Sequence, residues 1–271
     1  MSLSGKTILI TGASMGIGAA IARRLAPTGA TLILLSRSDS KLAQLTYELR
    51  SLPGSSGAIH HAAADVQDYD ALTAALTSVL GTLGNRPVDV LINNAGLALG
   101  APARFPEQKI SDISTMIATN VNGYMYAAHA VLNAGGMLAR GRGTILNVTS
   151  VTGLEVPPFP GEAVYHASKA AQEAFTNVLR TDLQDTSIKV LAVRPGVVAT
   201  HFHEQRVGYD RGLYDEFMSG FEPLVAEDVA ECVAWVVERP ERVSVKALDV
   251  VPTAQRSLQV FDRRWNERET A

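Results

Sequence analysis

The sequence predicts an α/β fold in which seven parallel strands form one doubly wound sheet with helices on both faces. Short apolar runs of strand length alternate with segments whose apolar residues recur at helical spacing. The runs are continuously apolar, as is typical of parallel strands that are buried on both faces. A length of 271 residues without a long linker fits one domain, so we expect a single domain over residues 1–271.

The alternation begins at the N-terminus, where apolar, β-branched runs at 6–10 and 31–35 flank a helical pattern at 17–25. The later elements follow the same rule. We expect strands at 58–62, 88–92, 143–148, 188–193 and 245–250, and helices at 71–80, 111–138 (with an interruption near Asn120), 163–183 and 227–237.

Three segments depart from this regular pattern. Residues 153–162 and 200–223 have little periodicity, and long loops in a compact α/β domain usually serve function, so we expect a variable substrate loop at about 198–223. The charged tail at about 262–271 is expected to fray or to pack on a neighbouring subunit. In the helix at 163–183, one small and apolar face suits packing on a sheet or a partner helix; it comprises Ala167, Ala170, Ala171, Ala174, Phe175, Val178 and Leu179.

Composition excludes several classes of partner. A formal net charge of −3 provides no basic field for nucleic acid or for an anionic membrane. Cys232 is the only cysteine, which excludes an intramolecular disulfide and fits a reducing compartment. The N-terminus has no secretory pattern, and the apolar runs are shorter than a membrane helix needs. We therefore expect a cytoplasmic protein that acts on a small molecule.

A glycine-rich turn follows the first strand, with Gly12, Gly16 and Gly18 spaced as Gly-x3-Gly-x-Gly. Glycines permit a close approach of the backbone to a ligand, and the N–H groups of the following helix N-terminus favour a pyrophosphate. A tight turn without a ligand would need the same residues. The position of the turn in the first strand-helix unit favours a dinucleotide site.

A tyrosine and a lysine stand four residues apart in the helix predicted at 163–183. At this spacing Tyr165 and Lys169 share one helix face. An ammonium roughly 6 Å from a phenol, at an effective dielectric of ~20, favours the phenolate by about 2 to 3 kcal/mol, so such a tyrosine could exchange protons near neutral pH. The same pair also fits a half-buried ring beside a snorkelling lysine.

The glycine spacing differs from the Gly-x-Gly-x2-Gly fingerprint and resembles the short-chain dehydrogenase/reductase family. Further segments resemble the family's motifs in the family's order along nearly the whole chain; they contain Asp65-Val66, Asn93-Asn94-Ala95-Gly96, Asn120, Ser150, Tyr165 with Lys169, and Arg194 to Thr200. The resemblance implies a Rossmann-like fold and reversible hydride transfer between a nicotinamide cofactor and a carbonyl or secondary alcohol.

The resemblance also implies a role for each matching residue. Ser150 would bind the carbonyl oxygen, Tyr165 would donate the proton, Lys169 would lower the pKa of Tyr165 and bind the ribose, and Asn120 would hold a water in the proton relay. The implied cofactor contacts are Gly12, Ser14, Met15, Gly16, Ile17, Gly18, Ser36, Arg37, Asp65, Val66, Asn93, Ala95, Gly96, Tyr165, Lys169, Pro195, Gly196, Val198 and Thr200.

Ser150 and Tyr165 lie fifteen positions apart, a wider spacing than in the commonest form of the family. The extra residues fall in a proline-rich loop at 154–160, which we expect to line the substrate pocket. Thr152 is a rival to Ser150 for the catalytic hydroxyl. The expected substrate contacts are Thr152, Glu155, Val156, Phe159 and Arg206.

The end of the second strand indicates NADP(H). An NAD site places an acid there for the ribose 2′-OH, whereas an NADP site benefits from an arginine. The strand ends at Ser36-Arg37, and Asp39 reads better as the cap of a helix starting near Ser40. Arg37 could also be an ordinary solvated charge.

Other polar residues carry weaker signals. His201, His203 and Glu204 could ligate a metal, but the family's chemistry requires none, so we predict no metal. Arg206 could clamp a substrate carboxylate with two hydrogen bonds, or it could be solvated.

Three functions remain open. The run at 247–256 and the Arg206 region resemble the NADP-dependent branch that oxidises 3-hydroxy acids and β-hydroxy amino acids such as serine and allo-threonine, which forms tetramers through helices matching 111–138 and 163–183. A homotetramer or dimer is therefore expected. The loop at 154–160 would instead suit a bulky hydrophobic ketone of secondary metabolism. A redox-sensing regulator that binds NADP(H) without turnover is a third reading, although such members typically lose Tyr165 or Lys169.

Overall fold

The computed structural model describes residues 2–157 and 160–269. Seven parallel strands form one sheet in the order β3-β2-β1-β4-β5-β6-β7, which confirms the predicted doubly wound topology. A two-stranded antiparallel hairpin, β8-β9, lies near the C-terminus. The strands are β1 Thr7–Thr11, β2 Thr31–Ser36, β3 Ile59–Ala63, β4 Val90–Asn93, β5 Arg142–Val148, β6 Ser187–Pro195, β7 Ala247–Val250, β8 Gln255–Ser257 and β9 Val260–Phe261.

Helices cover both faces of the sheet; they are α1 Gly16–Leu25, α2 Asp39–Arg50, α3 Tyr69–Thr82, α4 Ile110–Ile117, α5 Gly123–Leu132, α6 Met137–Arg140, α7 Ala163–Asp182, α8 His201–Arg206, α9 Arg211–Met218, α10 Ala226–Val237 and α11 Trp265–Glu269. Side chains of a strand point alternately to its two faces. Ile8 and Ile10 therefore pack with α1, α2 and α10, whereas Leu9 packs with α3, α5 and α7. No helix in the described part of the chain is long and apolar enough to cross a membrane.

The helix predicted over 111–138 departs from α-helical geometry near Asn120, where the interruption was expected, and it ends after Leu132. A π-helical turn at Ala118–Asn122 joins α4 to α5 without ending the helix. The break comes after Leu132, where Gly136 adopts a left-handed conformation before α6. π-turns widen a helix locally and are frequent at functional sites, and this one carries Asn120.

The buried face of α7 is more polar than the sequence predicted. Ser168, Gln172 and Thr176 are buried, whereas Ala167 and Ala174 are exposed. The small-residue face therefore does not pack as a whole on this chain's sheet, and its packing on a partner helix, the other possibility, stays a prediction. The polar residues are buried because their hydroxyls and amides find partners inside, as in the 2.8 Å hydrogen bond from Asn147 to Thr176.

The regions beyond β6 are also more ordered than expected. The stretch at 200–223 contains α8 and α9, so it is not a structureless loop. The charged tail, which was expected to fray or to pack on a neighbouring subunit, forms α11 in its described part, and Trp265 packs against a buried cluster that contains Phe221. These aromatic residues supplied the tail with an apolar contact inside its own chain.

Candidate active site

A cleft of about 420 Å³ opens at the carboxyl ends of the strands. The strand order reverses between β1 and β4, and ligands of such sheets bind in the crevice at this switch point. One end of the cleft is lined by the turn after β1 and by residues after β2 and β3, and the other end by α7, α8, α9 and the C-terminal hairpin. We call these the cofactor end and the substrate end.

The glycine turn forms the floor of the cofactor end. Ser14, Met15, Gly16 and Ile17 line the cleft beside Gly12. Gly12 and Gly16 have φ of +65° and +54°, which favours glycine at both positions. Gly18 is not among the lining residues. A Cβ on Gly18 would lie 2.3 Å from the Gly12 carbonyl oxygen, so Gly18 allows the close packing of α1 on the glycine turn, and its contact with a cofactor stays a prediction.

The end of β2 suits a phosphate-bearing ribose. Ser36 and Arg37 line the cleft, and the buried Ser36 hydroxyl has no hydrogen-bond partner among the described residues. Asp39 is the first residue of α2, and Ser38 occupies the N-cap position, so the prediction of Asp39 as the cap was wrong. The Asp39 carboxylate lies 3.5 Å from the His61 ring instead. Lys41 also lines the cleft and was missed by sequence reasoning, although it stands only four residues after Arg37, in the first turn of α2.

Asp65 and Val66 line the cleft after β3, and Ala95 and Gly96 line it after β4. Asn93 does not, contrary to prediction. Its side chain is buried, accepts a hydrogen bond from Thr11 and donates one to the Tyr124 carbonyl oxygen. Asn94 takes the place at the cleft that was predicted for Asn93, and its amide donates to the Thr11 and Gly12 carbonyl oxygens. Asn94 thereby holds the glycine turn against β4.

The segment after β6 forms another wall of the cleft. The lining residues there are Pro195, Gly196, Val198 and Thr200, all four of which the sequence predicted as cofactor contacts. A Cβ on Gly196 would meet the Gln255 side-chain oxygen at 2.4 Å. That space is occupied because Gln255 accepts a hydrogen bond from the Val197 backbone N–H at 3.1 Å. The C-terminal hairpin therefore fixes the wall.

Ser150, Thr152, Tyr165 and Lys169 line the centre of the cleft together. Ser150 lies just beyond β5 and accepts a hydrogen bond from the Thr152 backbone N–H at 3.1 Å, while its own hydroxyl points to the Pro195 carbonyl oxygen at 3.4 Å. The Lys169 ammonium lies 5.8 Å from the centroid of the Tyr165 ring. The structure thus brings the predicted hydroxyl, phenol and ammonium groups into one site.

Burial changes the proton equilibria that the sequence predicted for this pair. Burial raises the pKa of Tyr165 to about 12, against opposing contributions from the Arg206 guanidinium and a hydrogen bond with Ser150. Burial also lowers the pKa of Lys169 to about 7, while Glu173 acts in the opposite direction. The sequence predicted a lowered pKa for Tyr165, whereas in the protein alone its pKa is raised, because the loss of solvation outweighs the groups that lower it. The phenol is therefore protonated at neutral pH.

A hydrogen-bonded chain connects Lys169 to Asn120. The Lys169 ammonium donates to the Gln172 side-chain oxygen at 3.1 Å, and the Gln172 amide donates to the Asn120 backbone oxygen at 2.7 Å. The Asn120 side chain is buried; it accepts from the Leu97 N–H and donates to the Ser168 hydroxyl. Sequence reasoning located Asn120 but missed Gln172, one helical turn from Ser168.

The family model for short chain dehydrogenases matches residues 6–208. The chain belongs to the short-chain dehydrogenase/reductase family. Sulfoacetaldehyde reductase 2 of Chromohalobacter salexigens is 40% identical, with 92% of this chain and 94% of the relative covered. An NADP-dependent 3-hydroxy acid dehydrogenase of Schizosaccharomyces pombe is 38% identical, with 93% and 95% covered. A closed form of serine dehydrogenase complexed with NADP+ superimposes with a TM-score of 0.83 at 34% identity, over 93% of this chain and 96% of that one.

These comparisons confirm the family, the fold and the class of NADP-linked oxidoreductase that the sequence predicted. At the substrate end, four aromatic or apolar side chains line the wall beside polar ones such as His201 and Gln205; they are Phe202, Phe217, Leu258 and Phe261. The Phe202 ring lies 5.6 Å from the Tyr165 ring between centroids. None of these four residues was predicted; Phe202 and Phe217 belong to the stretch at 200–223, which has little periodicity.

Arg206 lines the substrate end but is already paired. Both oxygens of the buried Glu162 carboxylate accept hydrogen bonds from its guanidinium, one of them at 2.7 Å. Glu162 precedes α7 and was not predicted to take part in the site. The prediction that Arg206 meets the pocket agrees with its placement, but its partner in the protein is a carboxylate of the same chain.

The loop after Ser150 lies mostly outside the cleft. Glu155 accepts a hydrogen bond from the Leu258 backbone N–H at 2.6 Å, and the Val156 carbonyl oxygen accepts one from Gln259. Neither Glu155 nor Val156 is among the lining residues, so their predicted substrate contacts are not found. They anchor the C-terminal hairpin instead. Phe159, the remaining residue predicted from this loop, lies outside the described residues.

The histidines of α8 point in different directions. His201 is exposed and lies 2.7 Å from Glu204, while His203 is buried between Phe202 and Phe217. Burial lowers the pKa of His203 to about 3, so its ring is neutral at neutral pH. Within residues 2–157 and 160–269, no group of three or more His, Cys, Asp and Glu side chains is arranged to hold a metal ion.

Proposed function

We propose that this dehydrogenase/reductase catalyses reversible hydride transfer between NADP(H) and a carbonyl or secondary alcohol. The observation that carries the proposal is the convergence of Ser150, Tyr165 and Lys169 on the same cleft as the glycine turn. A proton donor and a dinucleotide cradle at one switch point are what carbonyl reduction requires. NADPH, when bound, supplies the hydride.

The protein groups supply positioning and a proton. The Ser150 hydroxyl binds the carbonyl oxygen, and the protonated Tyr165 phenol donates its proton to that oxygen as the alcohol forms. With a pKa of about 12 in the protein alone, Tyr165 holds the proton that reduction needs. Lys169 stabilises the phenolate left behind, and its contact with Gln172 leads to the Asn120 carbonyl, where a water can return the proton. Asn120, Ser150, Tyr165 and Lys169 are thus our catalytic residues.

The residues at the cofactor end favour the phosphorylated cofactor. Arg37 and Lys41 both line the cleft beside the unpartnered Ser36 hydroxyl, and they can bind a ribose 2′-phosphate. Asp39, the acid that would indicate NAD, lies next to His61 instead. The arrangement supports NADP(H) over NAD(H).

Two substrate classes fit this chemistry. The names of the relatives favour small polar substrates, and a 3-hydroxy acid or a β-hydroxy amino acid is our candidate on that ground. The aromatic wall of the substrate end favours a hydrophobic ketone. The two differ in charge and size, so one assay panel separates them.

An assembly of two or four copies in the cytoplasm completes the proposal. Exposed apolar side chains on α5 and α7, among them Met125 and Val178, support a helix-to-helix contact between copies. One cysteine in the chain, Cys232, supports a reducing compartment.

The test follows NADPH and NADH absorbance with a panel of 3-oxo acids, aldehydes and hydrophobic ketones. Tyr165→Phe removes the proton donor and should lower kcat by about 10² or more while NADPH still binds. Tyr47→Phe, which changes an exposed ring on α2, is the matched control. Tight NADPH binding with no turnover of any carbonyl would favour the regulator reading, and full activity of Tyr165→Phe would refute the catalytic assignment.

A further inference from the structure

The substrate end contains a buried ion pair between Glu162 and Arg206 of the same chain. Glu162 and Arg206 are 4% and 6% exposed, so both charges have left water. Two parallel N–H···O contacts join them, from the Arg206 Nε to Oε1 at 2.7 Å and from Nη2 to Oε2. This bidentate geometry is the one that an arginine uses to bind a carboxylate ligand. Glu162 therefore takes the place that an acidic substrate would need on Arg206.

The pair lies within reach of the reacting atoms. Glu162 immediately precedes α7 and stands three residues before Tyr165, while Arg206 is the last residue of α8. The Arg206 guanidinium carbon is 5.5 Å from the centroid of the Tyr165 ring and lines the cleft. A substrate whose carbonyl meets Tyr165 would thus have its substituents beside this pair.

This arrangement disfavours an anionic substrate in either of two ways. It would have to displace Glu162 from Arg206, which leaves a carboxylate buried without its partner, or else remain beside a carboxylate of the same sign. Two aromatic side chains beside the pair, Phe202 and Phe217, offer an anion no hydrogen bond, and the buried His203 ring is neutral. A neutral substrate meets a pair with no net charge and an aromatic surface.

We propose that Glu162 is a specificity-determining residue that neutralises Arg206 and so makes the pocket select neutral carbonyl substrates over carboxylates and sulfonates. This inference rests on the proposed hydride-transfer function. It assigns the hydrophobic-ketone class to the site and gives a single side chain as the reason. Removal of the Glu162 charge should turn the same pocket into one that attracts anions.

The test compares a neutral and an anionic carbonyl of nearly equal shape, methyl acetoacetate and acetoacetate, by NADPH oxidation. In the wild-type enzyme kcat/KM should favour the ester by about tenfold or more, the scale of one charged hydrogen bond. Glu162→Gln should move the ratio toward the acid by at least about tenfold, chiefly through a lower KM for acetoacetate. Glu204→Gln, on α8 but exposed, is the matched control and should leave the ratio unchanged.

Two further measurements keep the outcome decisive. The double variant Glu162→Gln/Arg206→Gln removes both charges and should retain the ester preference. If Glu162→Gln alone does not fold, the comparison of the double variant with the wild type tests the inference. A wild-type preference for acetoacetate, an unchanged ratio in folded Glu162→Gln, or an acid preference in the double variant would overturn the inference. Absence of turnover with every carbonyl would instead refute the proposed function.

Discussion

At the cofactor end of the cleft the Arg37 side chain is 64% exposed and its ion pair with Asp65 spans 3.9 Å, whereas at the substrate end the Arg206 side chain is 8% exposed and both Glu162 oxygens bind it. Exposed pairs contribute little and exchange partners easily, but one partner of a buried pair cannot leave without stranding the other charge. Arginines that look equivalent in sequence therefore have opposite uses, since Arg37 can accept a new phosphate and Arg206 is committed.

The same contrast extends to the other groups of the cleft. At the cofactor end the contacts come largely from backbone and small residues such as Gly12 and Ala95, held in position by Asn94. The centre and the substrate end depend on buried titratable side chains, including Tyr165, Lys169 and His203. Substitutions at the cofactor end should therefore change the room for the cofactor and the affinity for its phosphates. Substitutions at the centre or the substrate end should change the pH dependence and the balance of buried charges.

The largest effect is expected at Lys169. Its pKa of about 7 in the folded protein lies below the ordinary value of 10.5, so between these values the unfolded chain binds the proton and the folded chain does not. The buried ammonium therefore destabilises the fold by its full amount below pH 7. This destabilisation disappears as the pH rises from 7 to 10.5. The unfolding free energy of the wild type relative to Lys169→Met should rise by up to about 5 kcal/mol between pH 7 and 10.5.

Urea unfolding without added cofactor, followed by circular dichroism at several pH values, measures this difference. Lys246→Met removes an exposed ammonium and controls for the loss of a lysine as such. Tyr165, whose pKa is raised from 10.0 to about 12, also changes stability as its unfolded form ionises near pH 10, but it is present in both proteins and cancels in the difference. A Lys169→Met difference that stays flat across the window would show that the lysine is not desolvated in this way.

Gly18→Ala should give the next largest effect, at the cofactor end. Its new Cβ would lie 2.3 Å from the Gly12 carbonyl oxygen and 2.6 Å from the Asn94 amide nitrogen, so the turn has to move. We expect a loss of about 1 to 3 kcal/mol of stability and a strongly raised Kd for NADPH. Thermal unfolding and fluorescence titration with NADPH provide the two measurements.

Gly81→Ala is the matched control because it lies in α3 with nothing within 4 Å of the added Cβ. In an open helical position alanine should stabilise by about 0.5 to 1 kcal/mol and leave NADPH binding unchanged. Equal behaviour of the two alanine variants would contradict the close approach between α1 and the glycine turn.

The sequence predicted most of the cofactor end because its signals are local. Strand ends, the glycine turn and the Tyr165 to Lys169 spacing are each contained in a few consecutive residues, so periodicity and motif order were enough to place them. Choices between adjacent residues were less certain. Asn93 and Asn94 differ only in which side of the strand end they face, and that depends on Thr11 of a different strand.

The substrate end could not be predicted in the same way, because its contacts join distant segments. The whole of α7 and β6 lies between Glu162 and Arg206 in the sequence, and Leu258 meets Glu155 across more than a hundred residues. The buried polar face of α7 was missed for a related reason, since hydrophobicity alone does not show that Gln172 and Thr176 find internal partners. Burial of polar groups depends on tertiary pairing, which residue patterns do not encode locally.

The smallest change is expected at Arg37, where the charge is exposed. Arg37→Ala removes one cation from the end of β2 but leaves Lys41 and Ser36 at the cleft, so NADPH should still bind. We expect kcat/KM for NADPH to fall by about ten- to a hundredfold, as for one charged hydrogen bond, with no fall for NADH. NADH is the internal control, because it lacks the 2′-phosphate. Equal losses with both cofactors would mean that Arg37 supports the fold of the cleft, and the contrast between an available and a committed arginine would then fail.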